Sequence, residues 1–318
     1  MKFSIVIEWE NAVLSELGRA RTMLQRLQSQ ILNRPSEEFE ILVMYNPEQV
    51  DINLIETILA TDFSEEVRSC CRVLIATGLH YFELKNYGAK KATGDVVIFI
   101  DSDVIPEDKW LDYLIEVFYK IENANIVHGA YYIDPVSFVD KAFAINWFFP
   151  LRSDSTSVHE SDRFFANNVA FKRQFFLEHP FPSLTEGRTR GACGMLAKQI
   201  RAEGFVIYKA DAARVSHPGP NGIKHIFLRA LAQGRDSALK RKSEYNFLTN
   251  SLRIWIRTLK KVMIRVPFET IRDFSKVDLQ LWQVPGAIVL MMAYYLLMGV
   301  GGQIALIFPK WMARHIRV

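Results

Sequence analysis

Asp101-Ser102-Asp103 closes the stretch of the chain with the clearest chemical potential. Residues 96–100 are all apolar, Gly94-Asp95 leads into them, and they run directly into the two carboxylates. A short uninterrupted apolar run bounded in this way reads as a buried parallel strand. Open α/β sheets bind their ligands beyond the carboxyl ends of such strands. Two acidic side chains at that place suit a hard divalent cation holding a diphosphate. The pattern points to an enzyme that handles a nucleotide-linked donor.

The elements that must position these acids are legible upstream. Residues 2–7 read as a first buried strand. Val13, Leu14, Leu17, Leu24, Leu27 and Ile31 recur at helical spacing over 12–32, and Asn33-Arg34-Pro35-Ser36 ends that helix. A second strand over 39–45, a helix over 51–60, a third strand over 72–76 and a helix over 81–92 follow. Pro106 is expected to open a helix reaching about Ile121. This alternation predicts an α/β fold, a mostly parallel sheet flanked by helices with right-handed crossovers. Residues 126–133 and 164–171 are β-rich and are expected to add mixed strands.

The 318 residues are 49% apolar and 23% charged, which suits a large folded core and excludes global disorder. The net charge of +4 is too small to argue for nucleic acid. Cys70, Cys71 and Cys193 match no zinc spacing and no disulfide framework, and read as reduced thiols. No signal peptide is visible at the start, because Glu8 and Glu10 interrupt the first apolar run.

The C-terminal part differs in character. Residues 240–276 hold ten Lys or Arg against three acids. Over 247–266, Leu252, Trp255, Ile256, Leu259 and Met263 share one helical face, and Arg253, Arg257, Lys260 and Lys261 another. Such a helix lies in a membrane interface or docks on the protein's own core. Residues 285–308 carry no charge and are long enough to cross a bilayer. Basic residues flank this span on both sides, so charge chooses no orientation. Gly299, Gly301 and Gly302 are expected to allow a break, which leaves a re-entrant or flat-lying segment as the alternative to a spanning one.

Three blocks now support a family resemblance: residues 4–7 followed by Glu8-Trp9-Glu10-Asn11; residues 85–89 and 92–95 leading to Asp101-Ser102-Asp103; and residues 167–173, then 196–204, then His217. Over about residues 2–220 the chain resembles the family 2 glycosyltransferases, which have the GT-A fold. The resemblance implies inverting sugar transfer from a nucleotide diphosphate sugar to a glycan or lipid-linked acceptor, with Mn²⁺ or Mg²⁺. It implies that Asp103 binds the metal, with Asp101 sharing it or facing the ribose, and with His217 on the other side. Glu10, Asn11, Lys85, Asn86 and Ser102 would line the nucleotide-sugar site. The implied organisation is a transferase domain over 1–235 (nucleotide-sugar half 1–122, acceptor half 123–235), a basic amphipathic interface region over 236–284, a hydrophobic membrane segment over 285–308 and a basic tail over 309–318. A cytosolic donor implies a catalytic domain on the cytoplasmic face of a membrane, and a cell-envelope polysaccharide pathway follows from the same resemblance.

The chain departs from the family pattern in three ways. Glu8 stands where proline is usual, and Met44-Tyr45-Asn46-Pro47 lacks the usual acid after the second strand. Ala192-Cys193-Gly194-Met195 occupies the slot of the family's Glu-Asp pair, which contains the catalytic base. Glu186 is the nearest carboxylate that a loop would bring in, ahead of Asp162 and Glu160, while Arg188 and Arg190 suit phosphate contacts. The missing pair motivates an alternative, a GT-A domain that binds nucleotide sugar or glycan without turnover. A phosphohydrolase of the haloacid dehalogenase type also places Asp-x-Asp after a buried strand and is the remote alternative.

Overall fold

The computed structural model describes residues 1–11, 17–184, 190–240 and 246–316. Among these, nine strands form one sheet: β1 (Lys2–Glu8), β2 (Glu38–Tyr45), β3 (Cys71–Ile75), β4 (Val96–Asp101), β5 (Ile105–Pro106), β6 (Ile126–Ile133), β7 (Val158–Ser161), β8 (Asn168–Lys172) and β9 (Ile207–His217). The order across the sheet is β3-β2-β1-β4-β8-β6-β9-β5, with β7 added on β9. β1 runs parallel to both β2 and β4, β2 runs parallel to β3, and β8 is antiparallel to β4. The expected α/β fold with a parallel half and a mixed half is therefore present.

β4 lies in the middle and is buried along its whole length. That burial explains its lack of alternation, since both faces of the strand are covered. Helix Tyr81–Lys91 packs over β1, and Gly88 makes the close approach possible. A Cβ at Gly88 would sit 2.5 Å from Val6 Cγ1. The Glu83 carboxylate accepts the His80 N–H at the start of this helix, and Lys90 and Lys91 lie in its last turn. Both ends thus complement the helix dipole.

Pro106 does not open a helix as the sequence suggested. Ile105 and Pro106 pair with Ser216 and Val215 as a short edge strand, a position that a residue lacking N–H tolerates. The helix starts at Trp110, after Lys109 turns the chain in the left-handed region at φ 62°.

The chain divides into two units. The first comprises Met1–Tyr131, Ser153–Ser183 and Ala192–His217, and carries nearly all of the sheet. The second comprises Tyr132–Arg152, Leu184–Gly191 and Pro218–Val318, and is helical. Its centre is helix Val284–Ile307, packed against helix Gly222–Leu239. Leu281–Ile307 has the length and composition of a membrane span, with 39% of its most apolar window buried in the protein.

The glycines of this helix do not break it. Helix Val284–Ile307 runs through Gly299, Gly301 and Gly302; Gly301 instead admits the Leu231 backbone, while Gly299 and Gly302 lie against the Thr258 and Ile254 side chains. A Cβ at Gly301 would meet the Leu231 carbonyl oxygen at 2.4 Å, and one at Gly234 would meet that of Met298 at 2.0 Å. Because the obstruction is backbone, Gly234→Ala is expected to destabilise the protein by about 1–3 kcal/mol through overpacking. Thermal or urea unfolding checks this.

Candidate active site

Pairing of β1 with β4 places Glu8 directly beside Asp101 at the carboxyl ends of two neighbouring parallel strands. Two buried carboxylates side by side require compensation, and helix Tyr81–Lys91 supplies it. Lys85 Nζ donates to Asp101 Oδ1 at 2.7 Å, and both side chains are buried. One turn earlier, the Tyr81 hydroxyl donates to the same carboxylate, at 2.8 Å to Oδ2. Asn11 Nδ2 bridges the pair, donating to Glu8 Oε1 at 2.8 Å and to Asp101 Oδ2 at 3.2 Å. Lys85 also lies 4.7 Å from the centre of the Tyr81 ring.

Glu8 closes the turn after β1, accepting the Glu10 N–H at 2.9 Å and the Asn11 N–H at 3.3 Å. Burial first, then Asp101, pushes the Glu8 carboxyl well above its usual range, while Lys85 pulls it down. Glu10 and Asp103 add to the upward push. The Tyr81 hydroxyl is likewise held protonated, by burial and then by Asp101, which fits its role as donor.

A stability change with pH follows from Glu8. The fold favours its neutral form, so the folded chain binds more protons than the unfolded chain above about pH 4.5. That contribution is fully present below the unfolded value of 4.5 and is lost as the pH rises through the higher folded value. Glu8→Gln is expected to flatten this slope and to stabilise the ligand-free protein at neutral pH. Urea unfolding across the range from about pH 5 to 8 measures it.

Asp103 lies just beyond β4 and is buried. Its backbone carbonyl accepts Arg19 Nε at 3.0 Å, and Arg19 Nη2 reaches the Ser216 carbonyl at 3.0 Å. This arginine ties the acidic turn to the end of β9. His217 is the last residue of β9, one beyond the Ile105–Ser216 pair, so sheet register brings it to the same end of the sheet. Ser102 is buried, and its hydroxyl has no hydrogen-bond partner among the described residues.

The partners of the neighbouring polar residues are as follows. Glu10 does not join the Asp101 cluster; its carboxylate accepts the Tyr81 N–H at 2.9 Å and sits 3.3 Å from His80 Nδ1. Asn86 brackets the Phe181 backbone, donating to its carbonyl at 2.8 Å and accepting its N–H at 3.0 Å. One residue past Lys85, it points about 100° away around the helix. Asn168 is locked in the core: it accepts Trp110 Nε1 at 2.8 Å and donates to the Ala130 and Ala213 carbonyls at 2.9 Å. Trp9 is fully buried.

Glu186 and Arg188 lie outside the described residues. Asp162 is exposed and paired with Arg163, and Glu160 sits exposed on β7. The Ala192-Cys193 slot opens helix Ala192–Ala202. Cys193 is buried there, and burial pushes its thiol up to about 12, so it is no substitute base. Sequence reasoning missed Tyr81 and Arg19. Tyr81 stands four residues before Lys85, and that helical spacing is the signal that could have found it.

Asp101 thus accepts hydrogen bonds from Lys85, Tyr81 and Asn11. Residues 19–176 match the family model described as Glycosyl transferase family 2. Over 105 residues the chain is 30% identical to the glucosyl-dolichyl phosphate glucuronosyltransferase of Haloferax volcanii, covering 32% of this chain and 33% of that protein. It thus spans about a third of that curated relative. The mannosyltransferase PcManGT from Pyrobaculum calidifontis, solved with GDP-Man and Mn²⁺, has the same fold, with a TM-score of 0.57 at 11% identity over 97% of this chain and 87% of that one. Strand order, the carboxylate-tipped central strand and the family match agree, and the chain belongs to glycosyl transferase family 2, with a GT-A fold.

Proposed function

We propose that the chain is an inverting glycosyltransferase that moves a sugar from a nucleoside diphosphate sugar to a glycan or lipid-linked acceptor, with Mn²⁺ or Mg²⁺. The observation that carries this is the buried cluster at the strand ends, where Lys85 pairs with Asp101 and Asp103 adds a further buried carboxyl group just beyond β4. A carboxylate at the ligand end of the sheet, outside that pair, suits a divalent cation and the diphosphate it bridges. Among the described residues no group of three or more His, Cys, Asp or Glu side chains forms a complete metal site. That fits a cation bound by one or two protein groups, with phosphate oxygens completing its shell.

The proposed roles are these. Asp103 holds the cation, with His217 beside it; Asp101, bonded to Lys85, Tyr81 and Asn11, keeps acceptor capacity for the ribose and holds the strand ends in place. Glu10, Asn11, Ser102 and Lys85 line the nucleotide-sugar site, and the unpartnered Ser102 hydroxyl is available to a ligand oxygen. The cation neutralises charge that develops on the leaving diphosphate. Glu186 remains the assigned base that takes the acceptor proton.

The membrane reading rests on the second unit. Leu252, Ile256, Leu259 and Met263, four of the five residues on the face expected to be apolar, are 51–65% exposed, and Trp255 is half-buried. Exposed apolar residues beside a basic stripe suit a lipid interface. The dolichyl phosphate in the Haloferax volcanii relative's name supports a lipid-linked acceptor. In this reading, residues 236–284 lie at the interface, 285–308 enter the bilayer and the transferase domain is cytoplasmic.

A panel of nucleotide sugars, assayed with and without Mn²⁺ or Mg²⁺, tests the reading. Metal-supported transfer or donor hydrolysis is expected. Metal-supported donor binding without turnover from any donor would instead favour the binding-only GT-A domain, which the Ala192-Cys193 slot favours.

A further inference from the structure

Arg253, Arg257, Lys261 and Arg265 follow one another at four-residue steps. In a regular α-helix each such step drifts about 40° around the axis. Here helix Phe247–Lys260 passes into a wider π turn at Lys261–Arg265, then into helix Val266–Asp273. The wider turn offsets the drift, and π turns of this kind recur at functional sites. These four cations, with Lys260, border a cavity of about 270 Å³. Its remaining wall is largely apolar, with Ile254, Met298 and Tyr295 beside the small residues Gly234 and Gly299.

Among the described residues, carboxylates balance the charges in this cavity only in part. Glu269 pairs with Arg265 at 2.8 Å. Among the described residues, no carboxylate pairs with Arg257, Lys260 or Lys261. Like charges four residues apart repel along a helix. Burial, then Arg265 and Arg257, pushes the Lys261 ammonium down to about 8. The Tyr295 ring, 4.6 Å from Lys261 Nζ, offers only a weak substitute for an anion. The same helical stretch exposes Ile264 and Phe268 by 62% and 61%. A cationic rim over an apolar wall, on a rod with exposed apolar residues, matches an amphiphile better than a free ion.

We propose that this cavity binds the phosphate of an anionic membrane lipid, with Arg257, Lys260 and Lys261 around the head group and the lipid tail against the apolar wall. The proposal rests on the membrane reading above and adds to it a defined site.

Flotation of the full chain with vesicles tests both separately. Wild type is expected to bind phosphatidylcholine vesicles and to bind vesicles containing phosphatidylglycerol more tightly. Arg257→Gln/Lys261→Gln should leave the first unchanged and weaken the second by roughly thirtyfold. Lys260→Gln alone, at an exposed position, should shift in the same direction, which guards against misfolding of the double variant. Lys90→Gln/Lys91→Gln, with equal charge loss in the other unit, should change neither. Wild-type affinity of the cavity variants for anionic vesicles would overturn the site while leaving the membrane reading intact. Failure of wild type to bind either vesicle would overturn the membrane reading itself. Thermal stabilisation by inorganic phosphate at matched ionic strength, with no preference for anionic vesicles, would assign the cavity to a soluble phosphate and overturn the lipid proposal.

Discussion

Asp103→Ala is expected to lower metal-supported donor turnover by at least about a thousandfold, the scale on which loss of a metal clamp acts on a departing diphosphate. Its neighbours show why Asp103 carries this. Asp101 is bonded to Lys85, Tyr81 and Asn11, and Glu8 to the turn at Glu10 and Asn11. A cation placed on Asp101 would have to displace the Lys85 ammonium from a 2.7 Å contact. Asp103 lies past the end of the strand and outside that lock, so its replacement removes none of the Lys85, Tyr81 or Asn11 contacts. The measurement is turnover with the best donor of the panel, together with stabilisation by UDP or GDP as Mn²⁺ is titrated. Asp103→Asn, which keeps the side-chain volume, should behave like the alanine variant. Retention of metal-supported affinity and turnover in both would remove the assigned cation site.

Lys85→Met should act on stability as much as on binding. Lys85 and Asp101 are buried at 0% and 3% side-chain exposure. Removing one member of a buried pair leaves an uncompensated charge, at a cost of about 3–5 kcal/mol. Here the cost is sharpened by Glu8, the cross-strand neighbour of Asp101, which is already pushed upward. The deficit should shrink as the pH falls and Glu8 takes up its proton. Adding Asp101→Asn to Lys85→Met should recover part of the loss, and a double-mutant cycle from urea unfolding gives the coupling. A single variant within about 0.5 kcal/mol of wild type would show that Lys85 does not neutralise the strand ends.

The sequence by itself determined much of this protein. The apolar run before Asp101 specified a strand buried on both faces, because no alternation remained to offer a solvated side. The helical spacing around Lys85 specified the helix that reaches Asp101. Local spacing also held information that went unused, since Tyr81 at four residues from Lys85 must share its face and Asn86 at one residue must not. The uncharged stretch of 285–308 fixed one long apolar helix.

Tertiary structure decided what depends on which distant segments pair. Glu8 sits beside Asp101 only because β1 lies next to β4, ninety-three residues along the chain, and nothing in either segment fixes that register. Pro106 became an edge strand because β9 offered it a partner. The glycines of the long apolar helix became contact points because Thr258, Leu231 and Ile254 approach them. Local pattern sets which face of an element is apolar or charged. Which faces meet is settled by the whole set of packing choices at once, and in this chain those choices made an acidic motif into a site with one lysine among three carboxyl groups.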